Sequence, residues 1–386
     1  MHRFATQELA HRTAKHHLGV PTTRALSLVL TGESVTRDMF YDGNPKREPG
    51  AVVCRVAPSF VRLGSFQIFH HRQDYDTLKQ LADYTIRRDF PELGEPSRDV
   101  YAEWFREVCR RTATLMVHWM RVGFVHGVMN TDNLSILGQT IDYGPYGWLE
   151  DFDPNWTPNT TDSQGRRYRF GHQPQIAQWN LAQFGSALLP LVDDEVESLQ
   201  EGLRAYVKAF ESGWHDMLAA KLGLDEFTGE DDASLFEDLL EVLQLAETDM
   251  TIFFRRLADV PLASTGDAVC GHLSDAYYEP DALSDEVRDQ TAKWFERYRI
   301  RVQGSGVTDP DRKRKMDSVN PLYVLRNYLA QLAIDRSEQG DHGGIEELLD
   351  VLRQPYTVQP GRESYAEKRP EWARHRAGCS MLSCSS

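Results

Sequence analysis

Residues 126 to 144 read His126-Gly-Val128-Met-Asn130-Thr-Asp132-Asn133-Leu-Ser-Ile-Leu-Gly138-Gln-Thr140-Ile-Asp142-Tyr143-Gly144, and the rest of the chain reads as support for them. A divalent cation carried on a polyphosphate needs a few hard oxygen ligands and keeps the remainder of its shell for water and phosphate. Asn133 and Asp142 offer an amide oxygen and a carboxylate nine positions apart. Between them lie an apolar run from Leu134 to Leu137, a turn at Gly138 and the pair Thr140-Ile141. That order predicts a short strand, a tight turn and a returning strand, with both side chains at the open end of one hairpin. The stretch is a candidate metal and nucleotide site.

Protein kinases hold their metal ions with an Asn and with the Asp of an Asp-Phe-Gly element. The corresponding element here is Asp142-Tyr143-Gly144. Laid on the kinase loop H-R-D-L-x-x-x-N, His126 meets the His and Asn133 the Asn, but Val128 stands where the base Asp belongs. Valine cannot take a proton, and the nearest carboxylate is Asp132. Two alternatives stay open beside a kinase-type transfer to proteins. One is phosphotransfer to a small molecule, since His126-Gly127 also begins the loop of aminoglycoside-type kinases, although those enzymes need an Asp at the place of Val128. The other is a catalytically impaired pseudokinase that acts as a binding module.

The 386 residues carry 58 acidic against 43 basic side chains, a net charge of −15. This argues against a general nucleic-acid or anionic-membrane surface and requires any phosphate chemistry to use a local basic cluster. Hydrophobic content of 41% and charged content of 26% are those of a globular protein. No apolar run reaches the roughly 20 residues that span a bilayer, and no signal-type segment follows Met1, so a cytoplasmic location is expected. Five cysteines are too few and too scattered for a disulfide framework. Cys379 and Cys384, in the polar end of the chain, read as exposed thiols suited to redox chemistry or tethering.

Along the chain, residues 6 to 18 predict a helix closed by Gly19, and residues 22 to 30 and 51 to 57 predict strands on either side of a turn-rich loop from 42 to 50. Residues 65 to 70 read as a further strand. Arg55 and Arg62 lie among apolar neighbours, where an unpaired guanidinium is costly, so they call for an anion, and a phosphate suits the fork. Helices follow over 73 to 89 and 98 to 123. The second is a buried scaffold with Val108, Leu115, Trp119 and Val122 on one side, and it delivers the chain to His126. After Gly144 an aromatic, turn-rich loop leads to a helix from 173 to 189. Helices are then expected over 195 to 222, 231 to 258, 284 to 300 and 319 to 352, with a break near 340 to 344. The acidic run from Asp225 to Asp232 and the basic patch from Asp309 to Lys315 read as solvated connectors, and the chain beyond Pro355 as irregular.

These motifs, with Leu18-Gly-Val-Pro-Thr-Thr-Arg-Ala-Leu26, Arg55-Val-Ala, Gln173-Pro, Trp179-Asn-Leu181, Asn320-Pro321 and the terminal Ser-Cys-Ser-Ser, resemble the selenoprotein O family over nearly the whole chain. The resemblance implies an α+β, protein kinase-like fold with a truncated N-terminal β-lobe and a large, mainly helical C-terminal lobe. It divides the chain into a remnant N-lobe (1–95), a catalytic core (96–190), a helical extension (191–355) and an irregular tail (356–386). It implies protein adenylyltransferase activity, with ATP bound in a flipped orientation and AMP moved onto Ser, Thr or Tyr hydroxyls of protein substrates. By that likeness Asp132 is the general base, and Asn133 and Asp142 bind Mg²⁺, with Mn²⁺ as the alternative. Arg55 and Arg62 hold phosphates, while Glu8 pairs with the nucleotide lysine. Family members place a glycine-rich loop and that lysine ahead of the Glu8 helix, and neither stands in this sequence. A sheet reduced to its last strands is expected to leave apolar faces uncovered.

Overall fold

The computed structural model describes residues 2–38, 43, 45–193, 195–376, 378, 379 and 382. It is an α+β structure, mostly helical, with two small two-stranded sheets. Helix α1 (His2–His17) ends at Gly19, whose φ of +74° lets the chain turn back without steric strain. Its inward face is unusually polar, with Glu8, His11, Arg12 and Lys15 all buried. Strands β1 (Arg24–Arg37) and β2 (Lys46–Val56) follow as an antiparallel hairpin that pairs Arg24 with Val56 and Arg37 with Lys46. It is longer than the sequence suggests. One consequence was expected of so small a sheet: Leu26 is 72% exposed, and Val29 and Val52 are each 59% exposed.

Residues 64 to 71 form a helix, α2 (Gly64–His71), where a strand was expected. Phe66 is its anchor, edge-on to Trp104 and tilted against Phe184, so one inward residue sets the element, although the alternation of Ser65, Phe66, Gln67 and Ile68 mimics a strand. Then come α3 (Tyr75–Asp89) and the 25-residue scaffold α4 (Arg98–Val122). Ser97 caps α4 by accepting from the Val100 amide, and Gly123 ends it in the left-handed conformation. Its buried face carries Trp104, Phe105, Val108, Leu115, Met116 and Trp119, as the 3.6-residue period requires. Strand β3 (Phe124–Val125) pairs with β4 (Gly147–Trp148) across the central loops.

Helix α5 (Gln173–Leu188) and α6 (Val196–Leu222) pack beside α4. Phe105 lies against both: a Cβ on Gly185 would meet its ring at 3.0 Å, and one on Gly202 at 2.4 Å, so the two glycines make its socket. The remaining helices are α7 (Gly229–Leu245), α8 (Met250–Leu257), α9 (Asp267–His272), α10 (Asp285–Gly304), α11 (Asp309–Val319), α12 (Asn327–Glu338) and α13 (Gly343–Leu352). A second core built from Leu222, Leu239, Phe253, Leu257, Trp294 and Tyr298 joins α6, α7, α8 and α10.

Several expectations for this half are corrected. The helix expected over 231 to 258 is two helices, broken at residues 246 to 249, where Asp249 caps α8 through the Ile252 amide. The acidic run is a solvated loop as far as Thr228, with Asp225, Glu226, Glu230 and Asp231 exposed, but its second half opens α7, and Asp232 is 2% exposed and ion-paired with Arg301. The basic patch is helix α11, and Arg312 is fully buried, its guanidinium donating to the carbonyls of Leu257, the last residue of α8, and of Val260 just beyond it. Cys379 is buried, not exposed, and Cys384 lies outside the described residues. The tail is irregular, as expected, with short 3-10 turns. Among the described residues no helix is long and apolar enough to cross a membrane.

Candidate functional site

The stretch from His126 to Gly144 is held by side chains that hydrogen-bond its backbone. Gln173, at the start of α5, accepts from the His126 amide (2.9 Å) and donates to Phe124 O (2.9 Å). Asn159 donates to Gly127 O (3.0 Å) and Asn180 to Met129 O (2.9 Å). Because all three amide side chains are buried, these bonds have little competition from water. Gly127 has a φ of +77°, and a Cβ there would fall 2.0 Å from Pro145 O, so no other residue fits. His126 is a core residue: its ring lies 5.2 Å from that of Trp119, and burial, then Lys15, lowers its pKa to about 3. It is a neutral structural imidazole.

Beyond Met129 the chain makes one 3-10 turn, Thr131–Asn133, capped by Asn130, whose oxygen accepts from the Asp132 amide (2.9 Å). The turn presents Asp132 to solvent, and no hydrogen bond or ion pair engages its carboxylate among the described residues. Asn133 donates its amide nitrogen to Val128 O (2.9 Å), which leaves its oxygen free to act as a ligand. Residue 128 therefore contributes its carbonyl, positioning Asn133, and its side chain has no part in this.

The predicted hairpin from Leu134 to Ile141 is reduced to one antiparallel bridge between Leu134 and Thr140. Residues 134 to 136 instead run beside 61 to 63, with Leu63 N donating to Leu134 O (3.0 Å) and Ile136 N to Val61 O (3.1 Å). This pairing puts Arg62 at the turn, where its guanidinium donates to Asp132 O (3.1 Å). Asp142 is half-buried, and its carboxylate likewise engages no partner among the described residues. Its neighbours are tightly held: Trp119 donates to the Thr140 hydroxyl (3.0 Å), and the Tyr143 hydroxyl meets that of Thr22.

Glu8 and Arg55 form a second group. Glu8 is ion-paired with Arg12 one turn on, and Arg55 approaches the same carboxylate oxygen at 3.8 Å. The argument that Arg55 and Arg62 need an anion because they are buried is corrected: both are exposed, and the Arg55 side chain keeps 43% of its surface. They remain available to a phosphate, but burial does not compel one. Among the described residues no direct contact joins Arg55 to Arg62.

Sequence reasoning missed the residues of α1 that face this loop. Arg12 donates to Ile141 O (3.3 Å) and stacks 4.5 Å above the Tyr143 ring. Lys15 lies 2.9 Å from the centre of the Phe124 ring with no hydrogen-bond acceptor, and burial, then Arg12, holds its pKa well below the usual lysine range. The available signal was the spacing of Glu8, His11, Arg12 and Lys15, which puts four polar groups on one face of a helix. Gly64 was missed as well: a Cβ there would lie 2.3 Å from an Asp132 carboxylate oxygen, so the glycine makes room for the acid.

The donor set fits a metal–polyphosphate complex. One free carboxylate and one free amide oxygen are hard ligands for Mg²⁺ or Mn²⁺, and no cluster of three or more His, Cys, Asp or Glu competes among the described residues. An uncommitted carboxylate and a guanidinium stand beside them, the set that transferases of phosphate and nucleotidyl groups require. The chain belongs to the family described as protein adenylyltransferase SelO, whose family model matches residues 4–353. It is 59% identical to the protein nucleotidyltransferase YdiU of Rhodopirellula baltica, over all of this chain and 74% of that protein. The protein nucleotidyltransferases YdiU of an Azoarcus species and of Xanthomonas euvesicatoria are each 55% identical over the whole chain and 73% of their own length.

Proposed function

We propose that this protein is an adenylyltransferase of kinase-like fold that moves AMP from ATP to Ser, Thr or Tyr hydroxyls of other proteins. The observation that carries the reading is the position of the free acid: Asp132 is exposed, unpaired and next to the metal-type ligand Asn133, whereas Val128 offers only its carbonyl. Asp132 takes the proton of the acceptor hydroxyl as the oxygen attacks the α-phosphorus. The bond from that phosphorus to the bridging oxygen of the β-phosphate breaks, and pyrophosphate leaves. Asn133 and Asp142 would hold Mg²⁺, or Mn²⁺ in its place, which when bound would offset the charge of the triphosphate. Arg62, beside Asp132, and Arg55, next to Glu8, steady the phosphates that depart. Glu8 in turn orients Arg55.

ATP and hydroxyl-bearing proteins are thus the partners, without nucleic acid or membrane. Cys54, Cys109 and Cys270, which form no disulfide, suit a reducing, cytoplasmic setting. The test is incubation of the protein with ATP labelled at the α or the γ position and an unfolded acceptor protein. Label is expected on protein from the α position only and to vanish in Asp132→Asn. Transfer from the γ position would sink the reading.

A further inference from the structure

A cleft of about 810 Å³ opens directly from Asp132 and Arg62, between α2 and α5. Its walls are Gln67, Ile68 and His71 on one side and Gln183 and Ser186 on the other. Gly64 forms its floor, and only the missing side chain there lets the Asp132 carboxylate face it. The cleft is thus continuous with Asp132, the acid assigned to accept the hydroxyl proton.

Its chemistry differs from that of the whole molecule. On a chain of net charge −15, one arginine, Arg62, balances the one acid, Asp132, in the lining of this cleft, and His70 and His71 add imidazole nitrogens. Ile68 is 45% exposed, an apolar contact beside polar groups. Gln183 engages no hydrogen-bond partner among the described residues, and a free side-chain amide can pair with both the N–H and the C=O of a passing main chain. Side-chain amides and the apolar surface of Ile68, Phe69 and Ala187 suit an extended peptide, with polar partners for its main chain and apolar contact for its side chains.

We propose that this cleft is the acceptor groove, which receives an extended segment of the target protein with its hydroxyl at Asp132 and its main chain along Gln183, His70 and His71. The proposal rests on the AMP-transfer reading. It is tested with β-casein stripped of phosphate, an unfolded acceptor, in steady-state assays of α-labelled AMP transfer with the full chain. Ser186 and His71 are exposed and outside the catalytic set, so Ser186→Trp and His71→Glu should fold. Ser186→Trp fills the groove and is expected to raise the casein KM at least tenfold, and His71→Glu severalfold, with the Kd for Mg·ATP within twofold of wild type. If wild type labels casein and both variants keep its KM, the groove is wrong and AMP transfer stands. If wild type labels no protein from α-labelled ATP, AMP transfer fails and takes the groove with it.

Discussion

Arg12 grips the residues on both sides of Asp142: its guanidinium donates to the carbonyl of Ile141 at 3.3 Å and lies 4.5 Å above the ring of Tyr143. It is fully buried and ion-paired with Glu8, so helix α1 and the metal-type ligand move as one body. Removal of one partner from such a pair strands the other charge at a cost of about 3 kcal/mol or more. Arg12→Met should lower the unfolding free energy by that order in denaturant titration. It should also weaken Mg·ATP binding roughly tenfold by calorimetry, because Asp142 loses its support. Arg12→Lys should recover part of the stability, and less of the binding, since an ammonium cannot both pair with Glu8 and stack on Tyr143 as a planar guanidinium does. Unchanged nucleotide affinity in Arg12→Met would show that the two are not coupled.

Gly64 and Asp132 give a cleaner separation of chemistry from folding. Gly64 is in the first turn of α2 and does not have a positive φ, so alanine suits its backbone. The added Cβ meets the Asp132 carboxylate instead, at 2.3 Å. The acid must swing away, and a displacement of this size costs about 10²-fold in rate. Gly64→Ala should therefore lose AMP transfer by about that factor in kcat while its melting temperature and Mg·ATP affinity stay close to wild type. A kcat near that of wild type would mean that Asp132 is not the base.

How much of this could be read beforehand differs between elements for physical reasons. Helix α4 was legible because a long amphipathic period and its caps, Ser97 and Gly123, are local signals. Asn133 and Asp142 stood out as ligand candidates because a metal–phosphate site limits the residue types that can serve. Helix α2 was misread since eight residues with one apolar anchor carry no usable period. Arg312 and Asp232 were taken for solvated charges because their partners, the end of α8 and Arg301, lie about 50 to 70 positions away in sequence. The same holds for Gly64, whose reason to be glycine is a carboxylate in another loop.

Glu150, just after β4, predicts a dependence of stability on pH. It is buried and pairs with Arg369 at 3.2 Å, near Arg326, Asp249 and Asp151. Burial raises its pKa to about 7, and the two arginines only partly oppose this. The folded state then holds a proton that the unfolded state has released between pH 4.5 and 7, so stability falls as pH rises through that window. The upper limit from the shift is about 3 kcal/mol. Glu150→Gln carries no such proton. Wild type should therefore lose stability relative to the variant from pH 5 to pH 8, by urea unfolding at each pH. A constant difference would rule the linkage out.

Asp142→Asn tests the metal site without touching the fold. Asn is nearly isosteric, and the carboxylate engages no protein partner among the described residues, so its replacement disturbs no recorded bond. The charge removed is the one that a divalent cation needs, because Asn133 and the solvent can supply only neutral oxygens. Mg²⁺ should therefore tighten ATP binding in wild type and lose most of that effect in Asp142→Asn, whereas the affinity for ATP in excess EDTA should be the same for both proteins. Calorimetry in the two buffers gives the comparison, and the melting temperature without ligand should match that of wild type within a few degrees. An Mg²⁺ effect that survives in the variant would assign the ion to other ligands, because nothing else in the loop changes when one oxygen of Asp142 becomes an amide nitrogen.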